Sequence, residues 1–457
     1  VSELGLSIVD SAIQADQAEL QTSAENIANA TTPGYAREHV QLGAYLPAEP
    51  NGVGGGVETL GVTEVASGLL DANLRSAQSA SSYATEAETI TAQIENLFPE
   101  PSSSGLQAQL SKLWSDLTKL SADPGSQALD QSVVTDAQTV TSTLNGTAAG
   151  LSQLSSDLET ELGAAPGATS GVLVEANQLL AQVASLNTSI TAGQGGGQDT
   201  NALVDQRRAD LSQLAQLVGT TTRLESNGSM TVWLGGVTLV ENGTAESLQG
   251  TGGSGGTPLG AVTNLGTPVE LGGKAGAIVE AVNSTIPNVS SQLDGVANAL
   301  ATQLNALQST GIDASGQQQT TAFFTGTQAS TIQVNPDLVT NPTWLATAAG
   351  PPTNPPTPTL DGSNAAQMAA VANAPNGPDQ LYQALVGDVG TIAKAATDQA
   401  TTATSIENQA KGAVENVSGV STNNEALVAM QAEKAFEAAS KVAGTIAQAL
   451  DSLLAAV

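Results

Sequence analysis

Apolar residues recur every seven positions at both ends of the chain. Near the start they are Leu6, Ile13, Leu20 and Ile27, with Val9 and Ala24 beside them. Near the end they run as three parallel series: Val428/Ala435/Val442/Ala449, Ala432/Ala439/Ile446/Leu453 and Phe436/Ala443/Leu450/Val457. A seven-residue repeat draws a narrow stripe along a helix. The pattern predicts one heptad helix within residues 1–35 and another from about 422 to 456.

Between them, helical spacing resumes over 67–97 (Leu70, Leu74, Ala77, Ala84, Ile90, Ile94, Leu97) and stops at Pro99 and Pro101. A short helix carries Leu106, Leu110, Leu113, Trp114, Leu117 and Leu120. A long one spans 125–192 with a break at Gly163–Gly167, and another spans 201–218 with Gly219 as its stop. Residues 31–65, with Thr32-Pro33-Gly34 and Gly52-Val53-Gly54-Gly55-Gly56, read as an extended excursion. From 220 to 270 the period changes from 3.6 to 2. Thr220–Glu225, Met230–Leu234 and Val237–Glu241 are β-prone runs, separated by Asn227-Gly228 and Gly235-Gly236, which suit tight hairpins. Gly250–Gly256 reads as a flexible link. Helix returns at Ile278, kinks or restarts at Pro287 and continues to Leu307. Residues 310–362 are irregular, and their Pro351–Pro358 cluster marks an exposed connection. A helix over 378–414 precedes the terminal one.

The fold class is therefore mainly α with an inserted small β-domain, the N- and C-terminal regions forming a long antiparallel helical bundle. The expected segments are an N-terminal heptad helix (1–35), a first helical part (36–219), an antiparallel β-domain (220–270), a returning helical part (271–415, with a Pro-rich connection at 325–362) and a C-terminal heptad helix (416–457).

Composition sharpens this. Only 2% of the 457 residues are aromatic, against 40% apolar overall, so small side chains at helical spacing carry the burial. That suits closely packed long helices better than a thick core. Each buried Leu or Ile contributes about 1.5–3 kcal/mol, whereas ordering each residue costs about 1–2 kcal/mol of backbone entropy. A thin-seamed terminal helix is marginal alone. The expectation is that the two termini pair, that neighbouring copies cover what remains, and that both ends are mobile in a free monomer.

The net charge of -31 repels phosphate backbones, which argues against a nucleic-acid partner. The absence of cysteine excludes disulfides and thiolate metal sites. No apolar run reaches the ~18 residues of a membrane span, and the start lacks the basic and apolar regions of a secretory signal. The expectation is a cytoplasmic protein or one exported without a cleaved signal.

Catalytic chemistry is not visible. His39 is the single histidine and reads as a surface residue. Gly193–Gly197 and Gly250–Gly256 lack the Gly-Lys-Ser/Thr ending of a phosphate loop. Asp205 and Arg208, three apart on a helix, read as a structural ion pair. No catalytic, cofactor or metal residue is expected, and the chain is not read as an enzyme.

The run Asn26-Ile27-Ala28-Asn29-Ala30-Thr31-Thr32-Pro33-Gly34-Tyr35-Ala36-Arg37 resembles the N-terminal signature of flagellar rod, hook and hook-associated proteins. Asn29 can end the helix or cap a turn, Pro33-Gly34 redirects the chain and Tyr35 docks the new direction. Asn201-Ala202-Leu203-Val204-Asp205-Gln206-Arg207-Arg208 is similar to a motif of the hook-associated protein 1 family. Leu271-Gly272-Gly273, Phe323-Phe324, Asp361–Ala365 and Ser418-Gly419-Val420-Ser421 follow in that family's order. The chain departs from the family at Asn423-Asn424-Glu425, where an acidic run is usual, at Ala432–Phe436, and near 325–360, where larger members carry an outer domain.

The resemblance implies a structural subunit joining flagellar hook to filament. Its partners would be further copies of itself in a ring, the hook protein, the next hook-associated protein and a cytoplasmic export chaperone on the C-terminal region. It would be exported by the flagellar type III apparatus to an extracellular position. The assembly residues would be Leu6, Ile13, Leu20, Asn26, Ile27, Asn29, Pro33, Gly34, Tyr35, Val428, Phe436, Val442, Ile446, Leu450 and Leu453. Other readings are a hook or rod subunit, a secreted adhesin-like protein with a helical stalk, and a hydrolase on a flagellar scaffold. The last needs a catalytic constellation within 220–360.

Overall fold

The computed structural model describes residues 2–45, 54–253 and 257–455. Gly52-Val53, Ser254–Gly256 and Val457, on which the sequence reading drew, lie outside the described residues, as does the side chain of Leu453.

Helix α1 (Ser2–Asn29) is followed by an antiparallel ribbon of β1 (Glu38–Ala44) and β2 (Val57–Glu64). The ribbon refines the expected extended excursion. Val40 and Leu42 on one strand, and Leu60 and Val62 on the other, alternate with period 2, a pattern overshadowed by the Pro and Gly around it. Five helices follow: α2 (Gly68–Asn96), α3 (Leu106–Ala122), α4 (Gln127–Leu162), α5 (Val172–Gly195) and α6 (Asn201–Val218). The predicted break between α4 and α5 is present, and α6 ends on Gly219 in the left-handed conformation, φ 78°.

The β insertion comprises two antiparallel sheets. One has the order β3 (Thr221–Leu224), β4 (Met230–Leu234), β5 (Val237–Glu241), β6 (Thr244–Ala245), and the other β7 (Leu248–Thr251), β8 (Gly260–Thr263), β9 (Pro268–Val269). The second sheet corrects the reading of a flexible link from Gly250, since Gly250 and Thr251 pair with Ala261 and Gly260.

Helix α7 (Gly273–Glu280) passes through a π turn (Ala281–Thr285) into α8 (Ile286–Thr310). Pro287 has no N–H, and its ring crowds the preceding turn; the wider π turn accommodates both.

Residues 310–362 are more ordered than expected. Strands β10 (Gly311–Ile312), β11 (Phe324–Thr325) and β12 (Gln333–Val334), helix α9 (Pro336–Thr340) and strand β13 (Ala348–Ala349) tie this stretch together as the pairs β10–β13 and β11–β12. Phe323, Phe324, Leu338, Leu345 and Ala346 are buried in the main core, and the two Phe rings lie 4.6 Å apart. Only the proline stretch 351–358 is the exposed connection that composition suggested for 325–362. Helices α10 (Ser363–Ala370), α11 (Pro378–Ser418) and α12 (Thr422–Leu454) complete the chain.

The N- and C-terminal regions pack against each other throughout. Helix α1 lies along α12, and α2 along α11. The α2–α11 seam is lined by Ala77, Ala84, Ala393, Ala396, Ala400 and Ala403, which allow close approach of the backbones. Further along, α3, α4, α8 and the first half of α11 enclose the main core of Leu, Val and Phe, which continues into the β insertion. The chain is thus mainly α with a small β insertion.

Asparagine joins the strands to the helices. Asn187 (1% exposed) donates to the carbonyls of Met230 and Asn242 and accepts from Met230 N, each at 2.8 Å, and also accepts from Arg207 Nη1 at 2.9 Å. Asn177 makes the same amide-to-backbone pair with Leu248, Asn283 of the π turn with Leu259, and Asn305 with Phe324. In each case one side-chain amide satisfies both main-chain groups of a single residue in or next to a strand, which would otherwise be buried against a helix without partners.

Candidate functional site

Helices α1 and α12 run antiparallel. Near one end, Ile446 Cδ1 lies 3.6 Å from the position a β-carbon would take on Gly5; near the other, Asn26 Nδ2 donates to Glu425 Oε2 at 3.0 Å. The two anchors are the same number of residues apart on both helices, so the register is uniform. On α12 the residues drawn inward are Glu425, Ala429, Ala432, Phe436, Ala439, Ala443, Ile446 and Leu450, alternating steps of four and three. That is a coiled-coil seam. On α1 the matching face carries Ile8, Ala12, Ala15, Glu19, Thr22 and Asn26, of which Ala15, Thr22 and Asn26 are buried.

The predicted assembly residues separate accordingly. Phe436, Ile446 and Leu450 are half-buried in the seam between the two termini. The series Val428/Ala435/Val442/Ala449 lies on the outer face, with Val428 and Val442 exposed. On α1, Leu6 and Ile27 are exposed, and Ile13 and Leu20 are half-buried beside the seam rather than in it. The seam is therefore small and partly polar, while larger apolar side chains face out: Leu6 is 44% exposed, Met430 57% and Val442 48%. The ribbon adds Leu42 and Leu60, also exposed. These exposed apolar side chains lie along the terminal helix pair and the ribbon beside it, and apolar exposure in series is the kind of surface that partners cover.

Behind this surface the signature residues form a polar clasp. Asn26 is fully buried, and all four of its hydrogen-bonding positions are used. It donates to Glu38 O at 2.9 Å and to Glu425, and it accepts from Glu38 N at 2.9 Å and from Tyr35 Oη at 2.8 Å. Asn29 is the last residue of α1; its side chain donates to Glu25 O and accepts from Thr32 Oγ1. Pro33 is exposed on the turn, and Gly34 has φ 81°. A β-carbon on Gly34 would stand 2.8 Å from Asp205 O, so backbone conformation and space both require glycine.

The two sequence motifs, 26–37 and 201–208, meet here. Asp205 Oδ1 accepts from Ala36 N at 3.2 Å and from Arg208, and Arg208 also donates to Gly34 O. Arg208 pairs with Glu64 at the end of β2 and with Asp71 of α2 (3.6 Å). Arg37 N donates to Ser418 O, the last residue of α11, and Val65 N donates to Arg37 O, both at 2.8 Å. The clasp thus fixes where α1 ends, where the ribbon starts and where α11 hands over to α12. Burial, with Glu64 nearby, pushes the Asp205 carboxyl up to about 7 despite Arg208. Glu64 is raised by burial against the pull of Arg208, and Glu38 by burial. Three carboxylates share the Arg208 guanidinium, so burial favours retaining a proton among them.

Sequence reasoning missed Glu38, Glu64, Asp71 and Glu425 as members of this clasp. The expected Asp205–Arg208 ion pair is present on α6; it is also largely buried and reaches the N-terminal signature. Arg207, its neighbour, turns the other way and donates to Asn187 and to Gly228 O at the β insertion. His39 is exposed, with Thr63 Oγ1 3.4 Å away. Among the described residues, no cluster of His, Asp and Glu has the makings of a metal site, and no helix is long and apolar enough to cross a membrane.

Residues 91–324 match the family model described as the flagellar hook-associated protein FlgK helical domain. The chain is 26% identical to flagellar hook-associated protein 1 of Bacillus subtilis, over 99% of this chain and 97% of the relative. It is 27% identical to flagellar hook-associated protein 1 of Escherichia coli, over 70% of this chain and 59% of that longer protein. The fold resembles the solved flagellar hook junction protein FlgK from Burkholderia pseudomallei, with TM-score 0.63, 16% identity, and coverage of 76% of this chain and all of that one.

Proposed function

The chain belongs to the FlgK family of flagellar hook-associated proteins and is a structural subunit of the bacterial flagellum, and from that premise we propose that its paired terminal helices are the assembly element that seats it between hook and filament. The observation that carries this reading is the outward series of large apolar side chains on α1, α12 and the ribbon, beside a seam too small to account for them. Leu6, Ile13, Leu20 and Ile27 on one helix, and Val428 and Val442 on the other, are the residues that neighbouring copies cover. Phe436, Ile446 and Leu450, with Leu453 by its place in the repeat, hold the two termini together. Asn26, Asn29, Pro33, Gly34 and Tyr35 set the angle at which the pair leaves the body.

In this reading residues 1–35 and 416–457 polymerise, 36–219 and 271–415 form the helical body, and 220–270 form its β-domain. Partners are further copies in a ring, hook protein on one side and the next hook-associated protein on the other. Before export through the flagellar type III apparatus, a cytoplasmic chaperone covers the apolar face of the C-terminal region. The role is mechanical, with no catalytic step.

The test is electron microscopy of a deletion strain. Bare hooks, with flagellin released into the medium and filaments restored by the intact gene, are expected. Normal filaments in the deletion strain would refute the assignment.

A further inference from the structure

Where the chain leaves the helical body for the β insertion and where it returns, the two crossings lie side by side. A cleft of about 490 Å³ opens between these crossings and α2, with Gln399 of α11 at its edge. Three features of its wall are independent of one another. Arg75 is only 7% exposed, yet the one hydrogen bond it makes among the described residues is from Nη2 to Thr222 Oγ1 at 2.9 Å, and no carboxylate among them lies within ion-pairing distance. Asp71, the acid whose charge acts on it, pairs with Arg208 instead. Thr220 is 5% exposed, and its Oγ1 has no partner among the described residues. Finally, α7 starts in the cleft at Gly273 without a side-chain cap; the N–H of Gly276 donates to Gly272 O, while those of Gly273, Lys274 and Ala275 precede the first intrahelical bond.

A guanidinium carries five donors in a planar fork that matches a carboxylate or phosphate, and burying one with a single neutral partner is costly. A free hydroxyl and a helix N-terminus add donors and a favourable dipole on the same cleft. The nearby carboxylates are engaged elsewhere: Glu86 and Glu161 with Lys274, and Asp398 with Lys394. We propose that this cleft is an oxyanion site, taking a phosphate or carboxylate group on Arg75, Thr220 and the opening turn of α7. The group comes either from a free anion or from an Asp or Glu side chain of a second copy. In a chain with 43 acidic residues against 12 basic ones, the second source is abundant wherever copies pack together. Anion binding by the unassembled chain does not depend on the role of the terminal helices.

The experiment is calorimetric titration of the full chain with sodium phosphate and, separately, sodium acetate, with ionic strength held constant by sodium chloride. One saturable site is expected, weakened at least about tenfold in Arg75→Gln, a loss of about 1.4 kcal/mol, and several-fold in Thr220→Val. Sedimentation of the same proteins distinguishes the sources. If phosphate and Arg75→Gln both weaken self-association, the group belongs to a second copy; if phosphate binds and self-association is unchanged, it is a free anion. The proposal is overturned if neither probe binds in a manner dependent on Arg75 and Arg75→Gln self-associates like the wild type. Thr220→Val preserves shape and carries the test alone should Arg75→Gln fail to fold: unaltered phosphate affinity in that variant overturns the proposal equally.

Discussion

Asparagine does in this protein what large aromatic side chains do in many others: it fixes strands to helices. Asn26, Asn177, Asn187, Asn283 and Asn305 each clamp both main-chain groups of one extended residue. Van der Waals contact would leave those N–H and C=O groups unpaired, whereas an amide satisfies donor and acceptor together. Asn187, like Asn26, uses all four of its hydrogen-bonding positions, since it also holds Arg207 and the Asn242 carbonyl. Replacing Asn187 with Ala strands several buried polar groups at about 1–3 kcal/mol each. We expect Asn187→Ala to lower unfolding free energy by at least about 3 kcal/mol. Asn298→Ala, at an exposed site on α8, should stay within about 0.5 kcal/mol of wild type. Urea unfolding followed by circular dichroism measures both, and a cost for Asn187→Ala no larger than that of Asn298→Ala would remove the argument.

The terminal helices show how the elements divide their work. The heptads were legible from sequence because seven-residue spacing survives any context. Which of the three series on α12 faces α1 was not, because all three are apolar with the same period and the partner helix lies at the opposite end of the chain. The clasp was illegible for a related reason: Asn26 and Glu425 are 399 positions apart, and neither residue type signals burial. The β ribbon was hidden by local Pro and Gly, and the packing of 323–348 by the prolines that follow it. The two termini are folded on each other, over a seam in which α12 fully buries only Glu425 and Ala432 among its described side chains. Two substitutions separate the faces. Val442→Asp, on the outer series, should melt within about 0.5 kcal/mol of wild type yet fail to support filaments. Ile446→Asp, against Gly5, should open the pair. Amide exchange would then show protection lost in α1 and α12 and kept in α3 and α4. Protection of α1 in Ile446→Asp equal to wild type would mean that the seam does not hold the termini.

Taken whole, the molecule is strongly anionic and keeps several acids in places that disfavour their charge. Asp130 is pushed up to about 7 by burial and by Asp313, and Asp205 to about 7 by burial and Glu64. Glu64, Glu86, Asp210 and Asp379 are raised as well, each first by burial. The ordinary aspartate value is 3.8, so between that pH and about 7 the folded chain retains protons that the unfolded chain has lost. More protons bound in the folded state means that stability falls as pH rises through this window. The contribution is fully present below the unfolded value and gone above the folded one. Glu225 and Asp361, lowered by Arg223 and by Ser363, act in the opposite sense but are surface groups with little leverage. Self-repulsion within a chain of net charge -31 adds to the dominant trend, since protonation relieves it. Thermal unfolding of the free subunit should therefore give a midpoint at pH 5 higher than at pH 8, by roughly a few degrees. Salt at pH 8 should recover the part due to surface repulsion but not the part due to buried Asp130 and Asp205, because buried charges are poorly screened. Asp130→Asn and Asp205→Asn, measured singly, should flatten the pH dependence. A midpoint that rises steadily from pH 5 to pH 8 would mean that these carboxyls are ionised in the folded subunit.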